Sequence, residues 1–385
     1  MKMVPLGEVA LVNPRADATA HDSSVSFVGM AELDAEQGVA RPLATRSFAD
    51  VSKGYTVFRN HDVLAAKITP CWENGKVGQA ALDHPVGVGS TEFHVLRPGA
   101  DLNDRYLLQF LRQPWIRSTG EARMTGSAGQ KRVPASFFRD LEIPLPPLPE
   151  QRRIAAILDH ADALRAKRRQ VLAHLDGLTQ SIFHDMFSAD RYPSRPLEQV
   201  ADPDDRINYG VVQPGDETPD GVPLIRVSDM VRGRIDRTNL KRISPTIEAS
   251  YQRSRIRGNE ILVSSVGSIG AVSVVGPADV GSNIARAITR VPVSDEVLRT
   301  YVAAYLRTPT PQHYFIAELR TVAQPTLNVG QLAATLIPLP PVTLQAEFRR
   351  RLQRVEELTH TVRTCILADD ELFASLQARA FDGRL

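Results

Sequence analysis

Apolar positions along this chain follow two patterns, and each pattern occurs twice. Short apolar runs come first: Val25-Ser26-Phe27-Val28 and Asp62-Val63-Leu64-Ala65-Ala66 in one stretch, Glu260-Ile261-Leu262-Val263 in another. They predict strands of a mixed or β-rich domain. Gly75, Gly78, Gly87 and Gly89 punctuate the first stretch, and Gly267, Gly270, Gly276 and Gly281 the second. Each stretch ends in a proline string, which fixed φ and missing donors keep out of helix. Behind each string apolar residues step by three and four, which predicts a long helix of about 35 residues.

The recurrence is an internal duplication. Ile143-Pro144-Leu145-Pro146-Pro147 returns as Ile337-Pro338-Leu339-Pro340-Pro341, an offset of 194 residues from 143 to 337. Leu111-Arg112-Gln113-Pro114 answers to Leu306-Arg307-Thr308-Pro309, and Phe187 to Phe381. Pro5-Leu6-Gly7-Glu8-Val9 matches Pro196-Leu197-Glu198-Gln199-Val200, and Asp62-Val63-Leu64 matches Glu260-Ile261-Leu262. Five matches in one order predict two tandem domains of an α+β chain. The expected boundaries are 1–145 and 191–340 for the domains, and 146–190 and 341–385 for the helices.

The helical stripes are narrow. Ile154, Ile157, Ala161, Leu164, Arg168, Val171, Leu175, Leu178 and Ile182 form one. Phe348, Arg351, Val355, Leu358, Val362, Cys365, Asp369, Leu372 and Leu376 form the other, each 194 residues after its counterpart. Spacing near 3.5 is that of a coiled-coil seam. The two helices are expected to pair antiparallel with pseudo-twofold symmetry, as a ruler with a domain at each end. Arg168, Arg351 and Asp369 either set register or sit at solvated edges. The run Arg165-Ala166-Lys167-Arg168-Arg169 reads as a solvated face, with phosphate contact as the other reading.

Composition narrows the function classes. No apolar run approaches the roughly 18 residues of a membrane span, and the first residues lack a secretory core, so a cytoplasmic protein is expected. Cys71 and Cys365 suit no disulfide scaffold or metal pair. A net charge of +2 neither announces nucleic-acid binding nor suggests a DNA mimic. Only seven of the 46 cationic residues are lysine; a GC-rich genome that favours arginine codons is one reading, and arginine's fitness for bidentate contacts to phosphate and guanine is the other. There is no P-loop, no His-Glu-x-x-His or Cys-x-x-Cys, and no Gly-x-Ser-x-Gly elbow. His160, His174 and His184 are spaced too widely for a helical metal site. Nor does any lysine follow an acidic residue by two, or any Asn/Asp-Pro-Pro-aromatic string occur. No catalytic and no metal site is expected.

The string from Ile143 through Pro147, Glu150, Gln151 and Arg152 to Ala155, with the ending Ala380-Phe381-Asp382-Gly383-Arg384-Leu385, resembles the specificity (S) subunit of type I restriction–modification systems. The resemblance covers the whole chain. The second copy departs from it, lacking the Glu-Gln pair before its helix. The resemblance implies target-recognition domains that read a split, asymmetric site on double-stranded DNA. It implies two modification (methyltransferase) subunits using S-adenosylmethionine and, where the host has them, restriction subunits with ATP and Mg. This chain itself would hold no cofactor. Glu150, Gln151, Ile154, Leu164, Leu175, Val355, Leu358 and Leu372 are then expected on partner-binding helices.

Base reading needs polar side chains on loops that reach a groove. In the first domain Lys67, Thr69, Asn74 and Lys76 share one Gly-rich turn with Trp72, which is expected to pack. Ser127, Gln130, Lys131 and Arg132 share a second loop. The counterparts are Ser264, Ser265 and Ser268, then Asn283 and Arg286, then Gln324, Thr326 and Asn328. Arg253, Arg255 and Arg257 alternate and would share a strand face. The alternative reading of the chain is a non-catalytic interaction scaffold with two β-rich binding modules.

Overall fold

The computed structural model describes residues 1–15, 19–127, 129–188, 192–319 and 325–385. The chain divides into two compact units: residues 1–171 with 362–385, and residues 172–361.

The first unit opens with strand Met3–Pro5, paired antiparallel to Glu142–Pro144 with Val4 opposite Ile143. The proline hinge is thus an edge strand, where a missing donor costs no ladder bond. A six-stranded sheet runs Ala10–Val12, Phe93–Pro98, Val63–Ala66, Val77–Ala80, Val39–Ala40, Leu33–Asp34. A four-stranded sheet runs Ala44–Ser47, Ser24–Val28, Val86–Gly89, Thr56–Arg59, its middle pair parallel. Helices Asp104–Leu111, Pro114–Ala122 and Ala135–Asp140 cover the larger sheet's core, where Trp72, Tyr106, Phe110, Phe137 and Phe138 are buried.

The second unit repeats this order with fewer strands. Ser194–Pro196 pairs with Leu336–Pro338, again bringing the hinge to the unit's first strand. One sheet runs Asn208–Tyr209, Ile288–Pro292, Glu260–Ser264, Val272–Val274, and another Lys241–Ile243, Val222–Ile225, Asn283–Ile284. Helices Glu296–Leu306, Pro309–Glu318 and Val329–Ala333 complete it.

Both hinges lead into helices of 40 residues, Leu148–Phe187 and Val342–Phe381, whose starts lie 194 residues apart. Each exceeds the expected 35 residues by more than a turn. Gln151 ties the first helix to its domain. Its amide donates to the Asp101 and Pro146 carbonyls at 2.9 and 2.8 Å and accepts from the Asn103 N–H at 2.8 Å. The matching glutamine in the second copy is Gln345, buried and bonded to the Pro340 carbonyl at 2.8 Å. The second copy therefore keeps the glutamine of the Glu-Gln pair and has Leu344 in place of the glutamate.

The helices pair antiparallel within each unit. In the first, Arg165 meets Asp370 at 2.7 Å and Arg168 meets Asp369 at 2.6 Å. In the second, Phe183 and Phe187 pack on Phe348, each with ring centroids 5.5 Å apart. The seam differs from the expected one at alternate positions. Leu158, Leu172, Leu352, Thr359 and Phe373 turn inward, whereas Leu164, Val171, Leu178, Leu358 and Leu372 face solvent. Each misplaced position is one residue from the real one. The seam carries charged and hydroxyl groups where the pattern offers a neighbouring leucine. Arg351 lies outside the seam, bonded to Glu347 on its own helix at 2.9 Å. Arg165, Arg168 and Arg169 serve helix pairing rather than forming a solvated face.

Candidate nucleic-acid interface

Strand Val63–Ala66 runs out into the loop 67–76 and returns as Val77–Ala80. Trp72 anchors this loop from inside. Its Nε1 donates to the Arg117 carbonyl at 2.9 Å, and its ring stands edge-on to Phe137 and Phe138. The loop 125–132 folds on itself as Thr125 and Arg132 exchange backbone bonds of 3.0 and 2.8 Å, with Gly126 and Gly129 at positive φ. The two loops then join. The Thr69 N–H donates to the Lys131 carbonyl at 3.0 Å, the Val133 N–H to the Lys67 carbonyl at 2.9 Å, and Ile68 bridges Arg132.

Arg132 locks the junction. Its guanidinium grips the Glu92 carboxylate at 2.9 and 3.0 Å, and its Nη1 donates to the Gln130 carbonyl at 3.1 Å. The Arg132 hydrogen bond, with help from Lys67, holds the Glu92 carboxyl below its ordinary range. Arg132 is thus spent on positioning and does not point a free fork outward. Lys76 is also turned inward, donating to the Met30 carbonyl at 2.6 Å. The Thr69 hydroxyl is buried without a partner among the described residues. Asn74, Ser127, Gln130 and Lys131 are exposed and Lys67 is half-buried. Those five remain as groups that could meet a ligand.

The second unit builds the same junction from neutral groups. Val266 bridges Thr326, and the Leu327 N–H donates to the Ser265 carbonyl at 3.0 Å. Three expected contact residues are interior instead. The Ser264 hydroxyl bonds the Ser268 carbonyl and accepts from the Ala271 N–H at 2.8 Å. The Ser265 hydroxyl lies 2.6 Å from that of Thr289. Asn283 is fully buried, accepting from the Ser254 hydroxyl at 2.7 Å and donating to the Tyr251 carbonyl at 3.0 Å. Their polar groups are satisfied inside the fold, so they cannot reach bases. Asn328 caps helix Val329–Ala333 through reciprocal 2.9 Å bonds with Gln331. Ser268, Arg286 and Thr326 are exposed, and Gln324 lies outside the described residues.

Arg253, Arg255 and Arg257 do not share a strand face, because 252–254 form a helical turn. Arg255 pairs with the buried Glu248 and Arg257 with Asp205. Sequence reading missed the wholly buried Arg290, held by Glu260 at 2.9 Å and by Asp205. The only available signal was a charged residue heading the apolar run at Glu260. Of the expected partner-facing residues, Gln151, Ile154 and Val355 are buried within their own units. Leu164, Leu358 and Leu372 are exposed, Leu175 is half-buried, and Glu150 is held by Arg153 at 2.7 Å.

A mixed-sheet domain with a paired-loop junction, followed by a long helix and then repeated, defines a tandem domain-and-spacer protein. Residues 1–174 match the model of the type I restriction modification DNA specificity domain. Over these residues the chain is similar to that family. It is 30% identical over 294 residues to the type I restriction enzyme EcoBI specificity subunit of Escherichia coli, covering 68% of this chain and 62% of the relative. It is 45% identical over 153 residues to the EcoEI specificity subunit of the same organism, covering 39% and 26%. The chain thus matches less than two thirds of these relatives' lengths. Among solved structures, a chain from work on complex assembly and conformational transition of the type I R-M system superposes with a TM-score of 0.62 at 21% identity, covering 100% of this chain and 98% of that one. The type I S subunit from M. genitalium gives 0.53 at 13% identity over 99% and 96%. Both likenesses concern the fold. Among the described residues no helix is long and apolar enough to cross a membrane.

Proposed function

We propose that this chain selects the DNA target of a type I restriction–modification assembly. Each domain reads one half of a split, asymmetric site, and partner subunits carry the chemistry. The observation that carries this reading is the paired-loop junction, built twice at matching places in a chain similar to the DNA specificity family. In the first domain the reading surface is Lys67, Asn74, Ser127, Gln130 and Lys131, and in the second Ser268, Arg286 and Thr326. A helix of 40 residues is roughly 60 Å long, enough to set an unread spacer between half-sites. The exposed helix leucines Leu164, Leu358 and Leu372 suit two methyltransferase partners. S-adenosylmethionine would be held by those partners, and ATP and Mg by restriction subunits. The expected compartment is the cytoplasm, where DNA lies.

The test is co-expression with an adenine methyltransferase subunit of the type I class, followed by mapping of methylated adenines. A split motif is expected, and replacing residues 1–145 should change one half only. With the purified complex, DNA affinity should fall steeply with salt, by about 0.9 log units per decade for each phosphate neutralised. Lys131→Ala should lower that slope by about one. No methylation and a flat salt response would sink the proposal in favour of a protein-binding scaffold.

A further inference from the structure

In each unit a small hairpin reaches the long helices. The first pairs Leu33–Asp34 with Val39–Ala40. Arg112 donates to the Ala35 and Glu36 carbonyls at 3.2 and 2.8 Å, and to Asp162 at 2.5 Å. The Glu36 carboxylate at the hairpin tip accepts from Arg169 at 3.1 Å. The second hairpin pairs Met230–Val231 with Arg234–Ile235, turning through Arg232 and Gly233, both at positive φ. Arg307, the counterpart of Arg112, donates to the Gly233 and Val272 carbonyls at 3.3 and 3.2 Å. Arg232 at this tip donates to Asp176 at 2.5 Å.

The two helices carry the same acids at matching positions: Asp176 answers to Asp370, and Asp162 to Glu356, each 194 residues on. What differs is the source of the cation. In the first unit Asp370 is met at 2.7 and 2.8 Å by Arg165 and Arg169 of the helix, and the hairpin brings an acid to Arg169. In the second unit the residue matching Arg165 is Thr359, whose hydroxyl bonds the Val355 carbonyl at 2.7 Å. Arg363 keeps the place of Arg169 and is exposed, and the arginine that meets Asp176 comes from the hairpin.

We infer that the hairpin tip is a charge key that matches each domain to its own stretch of helix. The acidic tip at Glu36 is read by Arg169, and the basic tip at Arg232 by Asp176. Exchanging the tips would set an arginine against Arg169, with Asp370 already held by two arginines. It would also set Glu36 against Asp176. Pairs this exposed add little stability. Their effect is discrimination, through the like-charge contact each wrong pairing creates.

The experiment is amide hydrogen exchange on the full chain, reading hairpins 33–40 and 230–235 at roughly 0.01 M and 1 M salt, where the screening length is about 30 and 3 Å. Glu36→Arg should speed exchange of the first hairpin roughly two- to fivefold at low salt, with the second unchanged. Glu36→Gln should fall between, and Glu36→Arg with Arg169→Glu should return to the parent rate. Arg232→Glu, rescued by Asp176→Arg, should act in the same way on the second hairpin. The inference is overturned if Glu36→Arg is no faster than Glu36→Gln, if the paired reversals fail to rescue, or if high salt leaves the difference intact.

Discussion

The two units draw a buried ring from opposite elements at matching positions. In the first, Trp72 comes from the loop and lies on Gly120 of helix Pro114–Ala122, where an added Cβ would stand 2.4 Å from the indole. In the second, the helix position matching Gly120 is Phe315, which is buried, and the loop position matching Trp72 is Gly270. The hydrogen bonds move with the bulk. Trp72 donates to the Arg117 carbonyl at 2.9 Å, and Gln312, the counterpart of Arg117, donates to the Gly270 carbonyl at 2.9 Å. A loop ring in one unit answers to a helix ring in the other, the kind of exchange a core tolerates when total volume is kept. The glycine inside the first helix is thereby explained: it is the space the tryptophan needs.

The largest expected effect tests this exchange. Trp72→Ala should cost about 3–5 kcal/mol, read by denaturant unfolding followed by circular dichroism. Gly120→Phe alone should also destabilise, by overpacking against the indole. Combining Trp72→Ala with Gly120→Phe should recover part of the loss, because the ring then enters from the helix as in the second unit. No recovery would mean the two cores are not alternative fillings of one design.

A smaller effect separates the two hinges. Gln151 makes three internal hydrogen bonds, and its loss leaves the Asn103 N–H and two carbonyls without it. Among the described residues Gln345 has one, to the Pro340 carbonyl. Gln151→Leu should therefore cost about 2–3 kcal/mol and Gln345→Leu about 1 kcal/mol. Equal losses by the same unfolding measurement would show that the additional bonds to Asp101 and Asn103 contribute nothing.

Much of the architecture was legible because its signals are local. Proline strings and helical periods depend on neighbours in sequence, so the duplication, the two long helices and the Gly-rich loops could be read directly. The helix seam was read one position off at Leu164 and Leu358, since a pattern favours leucine over the Arg165 and Thr359 beside them. Only the partners, Asp370 for one and the Val355 carbonyl for the other, reveal why a polar group belongs inside. The expected contact residues are legible as loop positions and not as side-chain environments. Ser265 and Asn283 look like any exposed loop polar group until Thr289 and Ser254, each more than 20 residues away, claim them.

The smallest expected effect concerns the loop junctions, one charged and one neutral. In the first unit Arg132 grips Glu92, with Lys67 and His94 adding to the field, and the Glu92 carboxyl is held below its ordinary value of 4.5. A depressed carboxyl contributes stability in full above the unfolded value and loses it as pH falls through the folded one. Arg132 is 41% exposed at its side chain, so solvent screening keeps the contribution small. In the second unit Thr326 stands where Arg132 does and Ala287 where Glu92 does, and neither titrates in this range. Protection of the Thr125 and Arg132 amides, corrected for intrinsic exchange, should therefore weaken as pH falls below about 4.5. Protection at Leu327 should stay flat. Glu92→Gln should remove the pH dependence of the first junction while leaving a weaker bond to Arg132. A pH response that survives Glu92→Gln would assign it to another group and break the contrast. A response lost only in that variant would show that matching loop junctions can be given different sensitivities by a single ion pair at their base.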